Sequence, residues 1–340
     1  MRSRIALSLA VLLGGLAGAA HAAEVLPFAL PLGLQADAAY LPDANPLTAD
    51  KAALGKLLFF DPRLSRDRSQ SCATCHQPAH GFAEPRATSK GVRGVAGTRN
   101  APTILNRLFS KEQFWDGRAD DLEAQAHGPL TNPVEMAMPS DDAVVQRVRA
   151  VRGYAPLFAK AFGSPGITMA RLGQAIAAYE RTVTTGDSPF DRWRAGDADA
   201  MRPSAVRGFA VFSGKGNCVV CHTGFNFTDE GFHNVGVGMD RKKPDLGRWL
   251  VTKQDADRGA FKTPTLRNVA LTAPYLHDGS AATLREVIAL YDRGGVANRW
   301  LAKEMKPLGL TPAEQDDLLA FLESLTGDVT NATPPAKLPD

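Results

Sequence analysis

Apolar positions along the chain fall mostly at intervals of three and four, the repeat of a helix with one buried face, and seldom alternate as in a half-buried strand. Leu54, Leu57 and Leu58 share one face of a segment that Thr48 can cap, which predicts a helix through Phe60. Ser140 precedes a second such segment, with Val144, Val145, Val148 and Val151 apolar. Thr168 precedes a third, with Leu172, Ile176, Tyr179 and Val183. After a Gly-, Asp- and Pro-rich stretch from Thr185 to Pro203, the plan returns with a short helix near Ala205 to Phe212. Thr283-Leu284-Arg285-Glu286 reads as a capping box for a helix ended by Gly294-Gly295. Thr311-Pro312-Ala313-Glu314 opens the last helix, with Leu318, Leu322 and Leu325 inward. The fold class expected is mainly α, in two domains over 46–197 and 198–327. An irregular arm (23–45) with Pro27, Pro31 and Pro42 precedes them, and a Pro-rich, loose tail (328–340) follows.

The first 22 residues read differently. Arg2 and Arg4 precede an apolar run from Ile5 to Leu16, and Ala20-His21-Ala22 offers a small-x-small cleavage site, the pattern of a secretory signal. The expected location is therefore periplasmic. No later stretch is apolar enough to cross a bilayer, so no membrane span is expected after cleavage. The chain has 340 residues, enough for two domains with their own cores. Removing Arg2 and Arg4 with the leader takes the formal charge from +3 to +1, and no long basic cluster occurs, so nucleic acid is not an expected partner.

The chain has four cysteines, and two copies of one motif use them all: Cys72-Ala73-Thr74-Cys75-His76 and Cys218-Val219-Val220-Cys221-His222. C-x-x-C-H is the attachment signature of a c-type haem. Two thiols three positions apart can add to the two vinyl groups of one porphyrin, and the histidine behind them ligates the iron. The first cysteines of the two motifs lie 146 residues apart, one haem per domain. Two C-x-x-C knuckles could instead build a four-cysteine zinc site. A histidine directly behind each pair, in an exported chain, argues against that use.

Two haems permit a passive electron carrier or an enzyme with one open iron. A polar, acid/base-competent pocket beside one haem separates the two. The stretch from Gln113 through Met136 supplies Trp115, Gln125, Pro129 and Glu135 on what reads as a loop with two prolines. Splitting a peroxide O–O bond needs a group that takes a proton from one oxygen and returns it to the other, and a carboxylate can do this with an amide to orient the substrate. From composition alone a surface loop with an exposed Glu serves equally well.

The chain resembles the bacterial di-haem cytochrome c peroxidase family, which includes the MauG-type enzymes of methylamine utilisation, from about Asn45 to Gly327. The matching stretches are Leu54 to Asp61, Arg99 to Thr103, Gln113 to Arg118, Gly128 to Met136, Phe232 to Gly236 and Leu266 to Gly279, with both haem motifs. The resemblance implies two cytochrome c-like domains and reduction of hydrogen peroxide at the N-terminal haem. Electrons would enter at the C-terminal haem from a small cytochrome c or cupredoxin. It implies that Gln125, Pro129 and Glu135 form the distal pocket, with Glu135 the acid/base, and that Trp115 relays electrons between the haems. It further implies calcium at Asn100, Thr272 and Pro274, and by analogy a homodimer.

Two departures shape the expectation. Many members carry a distal histidine in the loop before Arg-Asn-Ala-Pro; here Ser89 to Gly97 has none, and His80, four residues after His76, belongs to the proximal side. The first haem is thus expected to be open at rest. Where many members place an axial Met fourteen residues after the His of Pro-Tyr-x-His, this chain has Tyr291, as in the MauG-type enzymes; Met239 and Met305 are the other candidates. The tryptophan that MauG-type enzymes carry just before the second motif is absent from Gly214-Lys215-Gly216-Asn217, which weakens the reading as an oxidase of a partner protein's side chains. His127, His233 and His277 are given the modest role of surface or hydrogen-bonding residues.

Overall fold

A computed structural model describes residues 26–340, so the expected signal sequence lies outside the described residues. The arm is irregular apart from one 3-10 turn at Ala36–Ala38. The first half then carries α1 (Ala49–Phe59), α2 (Cys72–Cys75), α3 (Leu122–Thr131), α4 (Asp141–Arg149), α5 (Tyr154–Phe162) and α6 (Met169–Thr182). The second half carries α7 (Pro189–Arg194), α8 (Pro203–Ser213), α9 (Trp249–Thr252), α10 (Leu284–Asp292) and α11 (Pro312–Glu323). Thr48, Ser140, Thr168, Thr283 and Thr311 each accept from the backbone N–H three residues on, as their sequence positions predict. Among the described residues four two-residue strands, β1 (Thr185–Gly186), β2 (Phe232–His233), β3 (Phe261–Lys262) and β4 (Asp328–Val329), pair antiparallel as β1–β4 and β2–β3.

Each half has its own core, and each is built on a helix pair crossing at a glycine. A Cβ on Gly55 of α1 would lie 1.7 Å from the Ala175 carbonyl oxygen of α6. One on Gly208 of α8 would lie 1.9 Å from the Asp317 carbonyl oxygen of α11. Only hydrogen at these positions lets the backbones meet. Leu54, Leu58, Phe59, Ile176 and Tyr179 fill the first core; Phe212, Phe227, Leu318 and Phe321 fill the second.

The halves are pinned by a network of charge pairs, in which Arg99–Asp245, Arg248–Glu112 and Arg107–Glu230 each join groups more than a hundred residues apart. Arg99 bonds both Asp116 and Asp245 at 2.6 Å, Arg248 reaches Glu112 at 2.7 Å, and Arg107 and Lys262 share Glu230, each at 2.9 Å.

Three expectations are corrected. Gln125 and Pro129 sit on a helix, α3, rather than a loop; Pro129 is accommodated in its last turns, close to where intrahelical bonding ends. The stretch from Thr185 to Pro203 contains α7, whose Phe190 and Trp193 pack on the second core. There Asp191 and Arg267, both almost fully buried, pair at 2.8 Å. The tail is not loose: β4 pairs with β1, Tyr179 donates to the Asn331 carbonyl at 3.1 Å, and Gly153 N–H donates to the Asp340 carbonyl at 2.8 Å. These backbone groups find partners on the first domain, and that seats the segment.

Candidate active site

The first motif forms one helical turn, α2, which brings Cys72 and Cys75 to the same side. The second forms a 3-10 turn over Cys218–Val220 with Cys221 as its cap. Behind each, the histidine is held the same way. His76 Nδ1 lies 3.3 Å from the Phe82 carbonyl and His222 Nδ1 lies 3.0 Å from the Phe227 carbonyl. A carbonyl accepts, so each Nδ1 carries the proton and each Nε2 keeps its lone pair for a metal. Burial pushes the Cys75 thiol up to about 11 and Cys218 up to about 12. Cys72 packs on the first core and Cys218 on the second, so the two pairs do not converge on one ion. Among the described residues one trio, Cys221, Asp229 and His233, could grip a metal, and a thioether at Cys221 removes its thiolate. The donor set fits two covalent haems, each with one histidine ligand.

A cavity of about 800 Å³ opens over the first motif and collects most of the expected site residues: Cys72, Cys75 and His76 with Trp115, Gln125, Pro129, Glu135 and Asn100. Gln125 and Pro129 stand four apart and so share the cavity face of α3. Glu135 is carried by the loop beyond, and its backbone carbonyl accepts from Val92 N–H at 2.9 Å. Asn132 Nδ2 donates to Glu135 Oε1 at 2.6 Å. Burial raises the Glu135 carboxyl above its ordinary range, against the pull of the Arg118 guanidinium and the Asn132 amide. Asn132 and Arg118 were not singled out by the sequence reading, although the spacing of Asn132 to Glu135 is that of a side chain folding back on its own turn. The loop without histidine presents Ser89, Gly91, Ala96 and Gly97 to the same cavity, none with a side-chain nitrogen.

Trp115 is fixed at both ends: its Nε1 donates to the Asn100 carbonyl at 2.9 Å, and its own carbonyl accepts from Lys262 N–H at 2.8 Å. It therefore stands on the seam between the domains. Asn100 is buried, and its Nδ2 donates to the Arg86 carbonyl at 3.0 Å, which leaves the amide oxygen as a hard donor. Thr272 and Pro274 follow the 3-10 turn Val269–Leu271, and the Thr272 methyl packs at Gly81.

An internal repeat relates the two distal sides. Asn106 and Asn268 share a left-handed φ of 58° and 57°, Phe114 and Leu276 of 67° and 72°, and Gly117 and Gly279 of 66° and 65°. The bridges Gln113–Ala119 and Tyr275–Ala281 match in the same register, as do the caps Asp121 of α3 and Thr283 of α10. Eight residues after each cap stand Pro129 and Tyr291. The Tyr291 phenol is raised by burial, with the Cys218 and Cys221 sulfurs close enough to bear on it. Pro129 holds the corresponding place in the first domain and offers no ligating atom.

The remaining histidines divide. His127 is on the outer side of α3, 2.8 Å from Asp141, and His233 pairs with Asp229 at 2.7 Å. His277 is buried, stacked on Phe261 at 3.6 Å, and burial lowers it to about 4. Met239 packs at Gly259 and Met305 at Gly295.

Two helical domains, each with a haem-attachment motif and an oriented histidine, define a two-haem protein of cytochrome c type. The sequence profile described as Di-haem cytochrome c peroxidase matches residues 49–199, and that described as Cytochrome c matches 205–326. The chain is similar to the methylamine utilization protein MauG of Methylorubrum extorquens, 47% identical over 86% of this chain and 83% of that protein. It is similar also to cytochrome c551 peroxidase of Nitrosomonas europaea, 42% identical over 87% and 84%. Among solved structures it resembles a MauG-like protein associated with microbial copper homeostasis, with TM-score 0.80, 34% identity and coverage of 85% and 93%. The diheme peroxidase BthA from Burkholderia thailandensis follows at TM-score 0.70, 28% identity and coverage of 83% and 87%. The chain belongs to the di-haem cytochrome c peroxidase family.

Proposed function

We propose that this protein is a cytochrome c peroxidase that reduces hydrogen peroxide to water in the periplasm. Electrons pass from a small donor protein to the C-terminal haem and on through Trp115 to the N-terminal one. The observation that carries this reading is the convergence of Glu135, Gln125 and Pro129 on the cavity that opens over His76, whose lining among the described residues includes no second histidine. His76 and His222 hold the two irons. Haem iron supplies the electrophile for peroxide and the one-electron chemistry. The protein's own part is proton handling. Glu135 as carboxylate takes the proton of the near peroxide oxygen and, as the acid, returns it to the departing one; Asn132 fixes the carboxyl's direction and Gln125 orients the substrate. Tyr291 would supply a further ligand to the second iron and suit that haem to electron transfer, whereas Pro129 in the corresponding place has no atom to offer the first. Asn100, Thr272 and Pro274 provide amide and carbonyl oxygens for a calcium ion at the domain seam, with few charges, so that it keeps several waters.

Glu135→Gln tests the role directly. Both haem spectra should persist while peroxide turnover falls by roughly 10²–10⁴-fold, the usual contribution of a general acid–base group. An unchanged steady-state rate would reduce Glu135 to a loop residue. Tyr291 also favours a second reading, a MauG-type oxidase acting on a partner protein; turnover of a small reduced cytochrome or cupredoxin by peroxide separates the two.

A further inference from the structure

The first cavity contains two polar groups that the peroxide chemistry leaves unused. Glu180 on α6 is 3% exposed and lines the cavity, and its Oε2 has no hydrogen-bond partner. Arg107 lines the same cavity, and its Nε is likewise buried and unpartnered while its terminal nitrogen pairs with Glu230. A buried carboxyl oxygen without a partner is destabilising, so its retention calls for an explanation.

The second domain shows that the fold does not require either group. The glycine crossings align Ala175 with Asp317 and Tyr179 with Phe321, so Glu180 corresponds to Leu322, a buried core residue. The repeat that aligns Asn106 with Asn268 makes Arg107 correspond to Val269, also buried. Where the first domain has a carboxyl and a guanidinium facing a cavity, the second has two aliphatic side chains. The pair therefore serves something particular to the first haem.

A carboxylic O–H and a guanidinium N–H are both donors, and both are satisfied by one carboxylate. We propose that Glu180 and Arg107 face a propionate of the first haem, Arg107 donating to it in both redox states, and that Glu180 takes up a proton when that iron is reduced and then donates to the propionate as well. One electron comes from the second haem and one proton from solvent; only an O–H bond is formed. Added negative charge beside a carboxylate raises its proton affinity, so electron and proton arrive together at the haem whose chemistry consumes both.

The surroundings support a titrating Glu180. Burial is the leading cause that pushes its carboxyl up to about 8, opposed by Arg181, reinforced by Glu123 and opposed more weakly by Arg107. Arg181 and Glu123 form a bidentate pair at 2.6 and 2.9 Å, which holds the Glu123 carboxyl below its ordinary range against the opposing push of burial. Burial also raises its neighbour Tyr179 out of the working range. Cys72 becomes a thioether on haem attachment and does not titrate. Glu135, facing the cavity from the far loop, is the other raised carboxyl and must be distinguished.

The test is a spectroelectrochemical titration of the holoprotein from pH 6 to 9, which uses no peroxide and so succeeds or fails independently of the role of Glu135. In wild type the first haem's midpoint should fall as pH rises, and a protonated-carboxyl band should appear in the infrared difference spectrum on reduction. Glu180→Gln, which keeps a donor, and Glu180→Leu, which copies Leu322, should both retain two haems and lose the slope and the band. The second haem's midpoint should stay as it was. The propionate bending mode in resonance Raman should shift in Glu180→Leu and in Arg107→Lys. A wild-type slope in Glu180→Gln, or its loss in Glu135→Gln instead, would overturn the assignment. An unmoved propionate mode in both of the other variants would overturn the cradle.

Discussion

Replacing Asn132 by Ala should move the acid limb of the peroxidase pH profile upward. Glu135 must be ionised to accept the first peroxide proton, so kcat/KM falls as pH drops through its pKa, which burial already holds above the usual glutamate value. The Asn132 amide donates to Glu135 Oε1 at 2.6 Å and so favours the charged form. A hydrogen bond to a charged group is worth about 1.5–3 kcal/mol, and one pKa unit is about 1.4 kcal/mol. Losing the bond should thus raise the carboxyl by about one to two units. The readout is kcat/KM for peroxide against pH, because that ratio follows the free enzyme's groups. At the pH where wild type keeps half its plateau, the variant should retain about a tenth or less, with the two plateaus within a few-fold at high pH. Asn132→Asp, which keeps the acceptor that receives Val134 N–H but sets a carboxylate against Glu135, should move the limb further the same way. An acid limb that stays in place in both variants would refute the idea that Glu135 ionisation governs the rate.

Pyridine haemochrome analysis should give two c-type haems per chain, resistant to acid–acetone, and replacing Cys218 and Cys221 by Ser should remove one; zinc in place of iron would sink the entire reading. The resting ferric protein should show one high-spin and one low-spin haem by EPR and react with peroxide without prior reduction. Tyr291→Phe should change the low-spin signal with both haems still attached, and an unaltered signal would make Tyr291 a packing residue. Asp191→Ala strands the buried Arg267 charge and should cost about 3–5 kcal/mol of stability in denaturant unfolding; a loss under 1 kcal/mol would show that the guanidinium finds water.

What could be read from the chain was local. Thr48, Ser140, Thr168, Thr283 and Thr311 cap helices through bonds three residues long, and C-x-x-C-H fits within a single turn. The helix α3 was missed because Pro129 interrupts its pattern, and a proline near a helix end looks like a loop until the last turn is seen. α5 was passed over although Tyr154 and Phe158 repeat at helical spacing, since Pro156 stands between them. Nothing near Arg99 or Arg248 announces Asp245 or Glu112 as partners, because charge pairing across domains leaves no periodic trace. The orphaned Glu180 was likewise invisible: in sequence it is one more polar residue on an amphipathic helix.

The seating of the last thirteen residues makes the first domain discontinuous. β1 has its strand partner only at Asp328–Val329, Asn331 bonds the Lys56 ammonium and the Thr182 hydroxyl, and the Pro339 carbonyl receives Arg63 at 2.9 Å. During synthesis the chain therefore meets its first haem motif long before the segment that closes that domain exists. Closure of the first domain waits for the second domain to be made, and a truncation at Gly327 would strike the half of the molecule it does not adjoin in sequence.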